Sequence, residues 1–382
     1  MEDIVNSPIG PFSNVTVEPN VTFHCNGTCL TMPQNTTLEE SVWSNIIIDY
    51  MNMIAIPLCL LAGLFGNLVT IFLMNTKTFF RMASRYFLIA LAISDISVLL
   101  TQPFKNMTVI HYFGSDPRAL SEVGCKLYFW LHKTGKMTSS WLVVCLCLER
   151  LVAVKFPFQV KLWFTKNHML TCIFILYIVI GGFNAGYSYC TTIDENSICN
   201  PDVYDKNDSD AVLLYRHMLN VGSSLYFIGP LIVLFTVTPV IIVILVKKSH
   251  QRKQLVHAHL KGNDVTRPTT MLLTIMVTYI LFVTPIGIVR IIANYIGINL
   301  FGVNMTSFLV FRDIAQLLEL FNYTVNFFLY VCSSSQFRHG VLMLLCSHNS
   351  LKRQDTWTTN KQVSMTCNSI SFRRQQTVRQ IF

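Results

Sequence analysis

IAIPLCLLAGLFGNLVTIFLM, residues 54–74, contains no charged side chain in 21 consecutive positions. A helix needs about 20 predominantly apolar residues to cross the hydrocarbon core of a bilayer. This stretch therefore predicts a membrane-spanning helix. The composition of the whole chain agrees, because 52% of its 382 residues are hydrophobic and only 13% are charged. Soluble domains carry about 25% charged residues, so the composition argues against a soluble enzyme.

Six further stretches predict spans, which gives seven in all. Five of the six contain at most one charged residue, which is Asp95 in the second span and Glu319 in the seventh. The third stretch carries several charges, and we retain it because the flanking segments would otherwise lie on the wrong sides of the membrane. The predicted fold is an all-α membrane protein, a seven-transmembrane-helix bundle. Its spans are residues 54–74, 86–104, 127–154, 168–193, 218–246, 268–289 and 314–337.

Two independent patterns predict the orientation of the chain. Twenty of the 29 Lys and Arg residues fall in segments 75–85, 150–167, 247–267 and 333–382, which predicts that these segments are cytoplasmic. Asn-x-Ser/Thr glycosylation sequons fall in the opposite segments. The net charge of +9 then describes a basic membrane face rather than a nucleic-acid site. We predict a multi-pass plasma-membrane protein whose N-terminus is extracellular. Seven sequons lie in the segments predicted to be extracellular, Asn14, Asn20, Asn26, Asn35, Asn106, Asn207 and Asn304, and an eighth, Asn322, lies inside the seventh span, out of reach of the glycosylating enzyme.

Several polar residues and prolines recur in the spans in a fixed order. Gly66-Asn67 stands in the first span, Leu91-Ala92-Ile93-Ser94-Asp95 in the second and Glu149-Arg150-Leu151 at the end of the third. Pro230 and Pro285 follow, and the seventh span holds Asn326-Phe327-Phe328-Leu329-Tyr330. Together these motifs resemble the rhodopsin-like, class A, G-protein-coupled receptors, from about Ile46 to Cys346. The resemblance implies a receptor that binds an extracellular ligand and activates heterotrimeric G proteins, and not an enzyme.

The resemblance also assigns roles to individual residues. Arg150 matches the arginine that pairs with the preceding acid at rest and contacts the G protein when active. An allosteric Na⁺ is the one ion implied, because a buried carboxylate needs a cation or a proton, and no other cofactor is expected. The residues implied in G-protein coupling and activation are Glu149, Arg150, Pro157, Pro285, Asn326 and Tyr330. Those implied in the sodium pocket are Asp95, Ser139, Asn322 and Asn326, with Asn67 beside them.

The resemblance further implies a disulfide from Cys125, at the start of the third span, to the second extracellular loop. We choose Cys199 as its partner because Cys190 lies too near the end of the fourth span. Disulfides persist on the oxidising side of the membrane. Cys25 and Cys29 could close a small loop together, or one of them could pair with Cys190.

The chain departs from the family pattern in its switch motifs. Glu149 replaces the usual aspartate, and Phe327 stands where a proline is usual, so the seventh helix should be less kinked there. Val283 occupies the position of a frequent tryptophan. Val265 occupies the place of an acid that, in some members, locks the sixth helix to the helix-three arginine. The absence of that acid predicts appreciable basal activity.

Charged and polar side chains cluster in the outer halves of the spans and make the predicted ligand cavity cationic. This argues against a small amine ligand and suits a ligand with a carboxylate, an amide carbonyl or a phosphate. A Lys136–Glu319 ion pair is the alternative explanation for two of the charges. The seventh span has no lysine between residues 306 and 332, which argues against bound retinal. The predicted ligand-pocket residues are Lys105, His132, Lys133, Lys136, Arg290, Gln316 and Glu319.

The C-terminal part predicts two further segments. Residues 333–346 resemble the family's short amphipathic eighth helix on the inner leaflet, and Cys346 at its end is a palmitoylation candidate. Residues 347–382 are polar and rich in Ser and Thr, which predicts a disordered tail. In the family, such a tail interacts with receptor kinases and with arrestin.

The ligand class is open between two hypotheses. The first is a neuropeptide, because residues 1–45 are rich in sequons and the second loop is acidic, and the chain has the general character of invertebrate neuropeptide receptors. The second is a small water-borne molecule sensed by a chemosensory receptor. A transporter or channel is a remote alternative, which would predict internal repeats. The acidic loop residues are Asp194, Glu195, Asp202, Asp205, Asp208 and Asp210.

Overall fold

The structure, a computed structural model, describes residues 37–80, 82, 84–105, 114–193, 197–201, 209–256, 266–292 and 305–354. Seven long helices form its main unit. The first four are α1 (Thr37–Met74), α2 (Arg85–Thr101), α3 (Glu122–Lys155) and α4 (Lys166–Tyr189). The fifth, α5, comprises Ser209–Ser223, a π-helical segment Ser224–Ile228, and Gly229–Val256. The last two are α6 (Thr266–Ile291) and α7 (Met305–Ser333).

Short elements connect the helices. One-turn helices occur at Lys77–Phe79, Gln102–Lys105, Pro117–Leu120 and Val160–Trp163. After α4, strands β1 (Thr191–Ile193) and β2 (Cys199–Pro201) pair antiparallel, with Ile193 opposite Cys199. We predicted that the fourth span would reach Ile193, but its helix ends at Tyr189. The β-branched residues Thr191, Thr192 and Ile193 favour the strand that follows.

Six of the helices are long and apolar enough to cross a membrane: α1 to α6. The seventh, α7, carries Gln316, Glu319, Asn322 and Asn326 within eleven residues, which lowers its apolarity. Its polar residues are directed inward, because Glu319, Asn322 and Asn326 are all at most 4% exposed. The α7 helix packs against α1 and α6 as one element of the bundle. It is continuous through Phe327, where the family pattern has proline.

The charged third span is the central helix. It packs against α2, α4, α5 and α6, and 72% of its most apolar stretch is buried, against 22% for α4. This position explains why α3 carries the charges that made its prediction weakest, since they face protein rather than lipid. Gly135 allows α2 to approach closely: a Cβ there would lie 2.1 Å from Ser97 Oγ and 3.2 Å from the Ser94 carbonyl oxygen.

The π-helical segment of α5 directs two consecutive aromatic side chains inward. A π-helical turn inserts an extra residue and shifts which side chains face the interior. Tyr226 and Phe227 are both buried, and their ring centroids lie 4.0 Å apart. Pro230, which follows, has no N–H to donate to the preceding turn. The segment thereby places the Tyr226 hydroxyl in the core of the bundle.

The α8 helix (Ser335–Gln354) lies almost entirely in a second unit of the chain, which begins at Gln336. It is longer than the predicted segment 333–346 and enters the part that we expected to be disordered. Residues 347–354 contain no proline or glycine, and Leu351, Lys352, Arg353 and Gln354 all favour helix. Leu342 and Met343 are exposed in this structure.

Candidate ligand and signalling sites

The Cys125–Cys199 disulfide joins the first turn of α3 to strand β2. The pairing chosen from the sequence is thus present, with a Cα–Cα distance of 5.6 Å. Because β2 pairs with β1, the bond fastens the whole hairpin to α3. We call this end of the bundle the disulfide end, and the opposite end, where α3 finishes at Lys155, the Arg150 end.

Asp116 strengthens the same attachment, although sequence analysis did not single it out. Its Oδ2 accepts hydrogen bonds from the Cys199 backbone N–H at 3.0 Å and from Arg118 Nη2 at 2.7 Å. Burial by itself would raise the pKa of the Asp116 carboxyl, but the Arg118 guanidinium and the backbone N–H of Cys199 together hold it below the usual value. The sequence signal was Asp116-Pro117, a helix-capping residue before a proline.

Four side chains from three helices meet in the middle of the bundle. Lys136 Nζ of α3 lies 2.8 Å from Glu319 Oε2 of α7. The Tyr226 hydroxyl of α5 donates to Glu319 Oε1, and it also hydrogen-bonds the Tyr323 hydroxyl of α7. We call these four residues the central cluster. All are at most 9% exposed, so the pair that the sequence offered as an alternative explanation is present and buried.

The other predicted pocket residues have different neighbours. His132 Nδ1 lies 2.8 Å from Thr101 Oγ1 of α2. Lys133 Nζ lies 4.4 Å from the centre of the Tyr187 ring of α4 and 3.4 Å from its hydroxyl. The structure therefore brings Lys136 and Glu319 together, whereas these contacts direct His132 towards α2 and Lys133 towards α4.

The remaining three members of the predicted pocket are described by their burial or by their position in the chain. Arg290 is half-buried in the last turn of α6, and Gln316 is half-buried in α7. Lys105 ends the one-turn helix after α2, and its side chain is outside the described part of the chain. That these seven residues contact a ligand stays a prediction.

Two of the predicted sodium-pocket residues, Ser139 and Asn326, contact Asp95. Asp95 Oδ1 accepts a hydrogen bond from Ser139 Oγ at 2.7 Å, and Oδ2 accepts one from Asn326 Nδ2 at 2.7 Å. Asn322 is buried on the same helix as Asn326, and Asn67 Nδ2 donates to the Tyr323 carbonyl oxygen at 3.1 Å. The carboxylate, hydroxyl and amide oxygens are hard donors of the kind that alkali and alkaline-earth cations prefer. These residues fit a sodium ion, whose binding stays a prediction.

Arg150 is held by two partners near the end of α3. Its Nε lies 2.7 Å from Glu149 Oε2, and its Nη2 donates to Ser84 Oγ at 2.7 Å. Ser84 is the residue before α2 and is fully buried; no sequence motif pointed to it. All three residues are buried, so the guanidinium is kept inside the bundle in this structure. Val265, the position without the family's acid, lies outside the described residues.

The remaining activation residues lie in α6, in α7 and in the turn after α3. Tyr330 is buried near the end of α7, and Pro285 interrupts the hydrogen bonding inside α6. Pro157 is exposed in the turn after α3. Their roles in switching stay predictions.

Several predicted sites lie outside the described residues or have undescribed side chains. They are the seven sequons predicted to be extracellular, Cys25, Cys29 and the acidic residues of the second loop named above. The Cys346 side chain is likewise undescribed.

Comparison with known proteins establishes the family. The sequence profile of the 7 transmembrane receptor (rhodopsin family) matches residues 66–330. The chain belongs to this family, whose members are membrane-spanning signalling receptors and not enzymes. They bind extracellular ligands and couple to G proteins.

Individual relatives differ in how much of the chain they cover. The chain is 24% identical to F59B2.13 of Caenorhabditis elegans, described as a candidate G-protein coupled receptor, over 93% of this chain and 85% of that one. It is 30% identical to mouse lysophosphatidic acid receptor 6 over 31% of this chain and 34% of that one. It is 24% identical to the Drosophila melanogaster trissin receptor over 44% and 25%. The matched region covers about a third of the length of the mouse receptor and about a quarter of the length of the Drosophila receptor.

Proposed function

We propose that this receptor is activated by an extracellular peptide carrying a cationic or amidated group, with the disulfide end outside the cell and the Arg150 end facing a heterotrimeric G protein. The observation that carries the proposal is the Lys136–Glu319 ion pair. Lys136 was the central charge of the predicted cationic cavity, and its charge is compensated within the bundle. An acidic ligand would have to compete with Glu319 for it. A cationic ligand would meet the acidic second loop first, because opposite charges steer association.

The relatives support a peptide but also name a lipid. Receptors for trissin and for neuromedin U are among them, and so is a receptor for lysophosphatidic acid. The lipid is the second candidate, because Lys133 is only half-buried and could meet a phosphate. Its contact with the Tyr187 ring would have to be given up for that purpose. Among the described residues, no contact favours the chemosensory alternative.

A ligand screen with a G-protein readout tests the proposal. Cells expressing the receptor are treated with amidated and cationic peptides, with lysophosphatidic acid and with small water-soluble metabolites, and G-protein dissociation is recorded. Arg150→Ala, at matched surface level, is the control for receptor-dependent signals. A response to peptides is expected. A response to lysophosphatidic acid or a metabolite, with all peptides silent, would overturn the peptide assignment.

The acidic loop supplies a sharper variant. Changing Asp202, Asp205, Asp208 and Asp210 to Asn should lower the potency of a cationic peptide ten-fold or more, where each ten-fold is about 1.4 kcal/mol. Glu122→Gln is the matched control, because Glu122 is an exposed acid at the same end of the bundle. Equal potency in both variants would mean that the loop does not recognise the ligand.

The proposal extends to the partners expected inside the cell. The Ser- and Thr-rich residues after Ser347 would be phosphorylated by receptor kinases and then bind arrestin. Cys346 would be palmitoylated and fasten α8 to lipid, since a second lipid anchor strengthens the attachment of an amphipathic helix. Metabolic labelling with a palmitate analogue, compared between the parent and Cys346→Ala, tests the second point.

A further inference from the structure

The surroundings of the Lys136 ammonium group have the chemistry of a cation-binding site. Glu319 supplies a carboxylate oxygen at 2.8 Å from Nζ, and the Tyr226 ring centre lies 5.9 Å from the same nitrogen. A carboxylate makes the strongest hydrogen bonds to an ammonium group. An aromatic face within about 6 Å adds an electrostatic attraction that strengthens when water is excluded. These groups come from α7 and α5, whereas the cation comes from α3.

Burial favours a cation at this place, because without one the Glu319 carboxylate would have to be protonated. Glu319 is 3% exposed and Lys136 is 9% exposed. A buried carboxylate without a partner is strongly destabilising, whereas the same carboxylate with any well-placed cation is not. The requirement is for a positive charge with hydrogen-bond donors, and it does not demand that the charge be attached to α3.

We propose that Glu319 and Tyr226 form a cation subsite that Lys136 fills in the resting receptor, and that an ammonium or guanidinium group of the ligand takes the place of Lys136 when the receptor is activated. The proposal deepens the peptide function proposed above, on which the identity of the natural ligand rests. Its regulatory consequence follows from the connectivity. Lys136–Glu319 ties α3 to α7, and a ligand cation on Glu319 would leave α3 untied.

Tyr226 holds the subsite in shape through Glu319. Its hydroxyl donates to Oε1, which leaves Oε2 directed at the ammonium group. The Tyr323 hydroxyl lies against the Tyr226 hydroxyl and continues the network back to α7. The π-helical segment of α5 sets the inward direction of Tyr226. A cation entering this subsite would therefore find the carboxylate already oriented.

Chemical rescue tests the subsite without knowledge of the natural ligand. Lys136→Ala removes three carbons and the ammonium group, which are the atoms of n-propylammonium. In ligand-free cells, basal G-protein signalling of this variant should rise about five-fold at matched surface level, which corresponds to roughly 1 kcal/mol. Added n-propylammonium should raise the unfolding temperature of the purified variant in a saturable manner, because it compensates the Glu319 carboxylate. It should leave basal signalling raised, because it is not attached to α3. The uncharged 1-propanol, of similar size, should not raise the unfolding temperature.

Two control variants make the rescue specific. In Lys136→Ala/Glu319→Gln the carboxylate is gone, and n-propylammonium should have no effect. Lys126→Ala, which removes another half-buried lysine of α3 nearer the disulfide end, should show neither the rise nor the rescue. Equal effects of n-propylammonium on the two Lys136 variants, or none on either, would overturn the subsite.

Failure to fold is also informative. If Lys136→Ala does not reach the surface, n-propylammonium in the culture medium should restore its surface level and 1-propanol should not; no restoration contradicts the proposal. The outcome is separable from the peptide function. Peptide activation of the parent without rescue overturns the subsite alone, and rescue with no active peptide overturns the peptide assignment alone.

Discussion

Two buried pairs of carboxylate and cation on α3 solve the same physical problem in different ways. Lys136 near the middle of the bundle pairs with Glu319 of α7, so the ion pair crosses between helices. Arg150 near the end of the helix pairs with its own neighbour Glu149, and its link to another element is the hydrogen bond to Ser84. The first arrangement restrains where helices lie relative to each other. The second neutralises a charge while leaving the helices freer to separate.

The difference indicates how each pair would respond to activation. Breaking a buried ion pair by removing one partner costs about 3–5 kcal/mol in either place, because it leaves a charge without compensation. An activating movement of α3 against α7 must stretch the Lys136–Glu319 contact. The same movement does not by itself separate Glu149 from Arg150, because both are on α3, so the proposed contact of Arg150 with a G protein requires that the Glu149 and Ser84 contacts be released as well.

The largest effect is expected at Arg150. Arg150→Ala should abolish G-protein activation at normal surface expression and leave ligand binding within a few-fold of the parent. The guanidinium is the group proposed to contact the G protein, and it is far along α3 from the central cluster. Agonist-stimulated G-protein dissociation and ligand binding on the same cells measure the two properties. Retained signalling would contradict the assignment of Arg150 to G-protein coupling.

Cys125→Ala should produce the next largest effect. Loss of a native disulfide typically costs about 2–5 kcal/mol, and here it would release the hairpin from α3. We expect reduced surface expression and a lower unfolding temperature of the purified receptor. Cys147→Ala, at a buried cysteine elsewhere on α3, is the control. A Cys125→Ala receptor that matches the parent in both measurements would show that Asp116 alone holds the hairpin.

Much of the architecture could be predicted from the sequence, because membrane spans are long apolar runs. The charges on α3 weakened its prediction since composition cannot tell a lipid-facing position from one at the centre of a bundle. The end of α4 was missed for a related reason. Thr191 and Ile193 continue the uncharged run of the fourth span, but they pair with β2, whose Cys199 is bonded to Cys125, 74 residues earlier in the sequence.

The candidate sites were predicted where they follow a family motif. Asp95, Ser139 and Asn326 do meet, as the resemblance implied. Tyr226, Ser84 and Asp116 were missed, because each acts through a contact between elements that no local pattern encodes. Tyr226 depends on the π-helical segment of α5, and a register shift of one residue is not visible in a run of apolar residues.

Asp95 lies between the two pairs and gives a test of intermediate size. If Asp95 holds Na⁺ with Ser139 and Asn322, raising sodium should weaken agonist affinity, because an ion that favours the resting state is reciprocally coupled to the agonist. Such couplings are typically about 1–3 kcal/mol. Asp95→Asn should remove the dependence. The test compares agonist affinity in sodium with agonist affinity in a matched choline control. Equal affinities in the parent would mean that the pocket has a structural role only.

Ser84→Ala should raise basal signalling. The change removes the hydrogen bond that ties Arg150 to the element before α2, and a hydrogen bond to a charged group contributes about 1.5–3 kcal/mol at most. Ser84→Thr keeps the hydroxyl and serves as the control. Ligand-free G-protein dissociation at matched surface level is the measurement. If both variants are as quiet as the parent, Glu149 is sufficient to hold Arg150, and the two pairs differ even more than the contacts indicate.

The smallest effect is expected at Asp116 and depends on pH. Its pKa is lowered in the folded protein, so the carboxylate contributes stability above its unfolded pKa of about 3.9, and this stability is lost as the pH falls through the lower folded value. Asp116→Asn should therefore unfold at a lower temperature than the parent between about pH 5 and 8, by an amount that stays constant there. The difference should shrink below about pH 4, as the parent carboxylate is protonated. Thermal unfolding of both purified proteins across this range, with Glu122→Gln as a control for an exposed acid, measures the effect. A difference that persists undiminished at the acid end would mean that the charge of Asp116 is not what fastens the hairpin, and that the Cys125–Cys199 bond does so with neutral contacts alone.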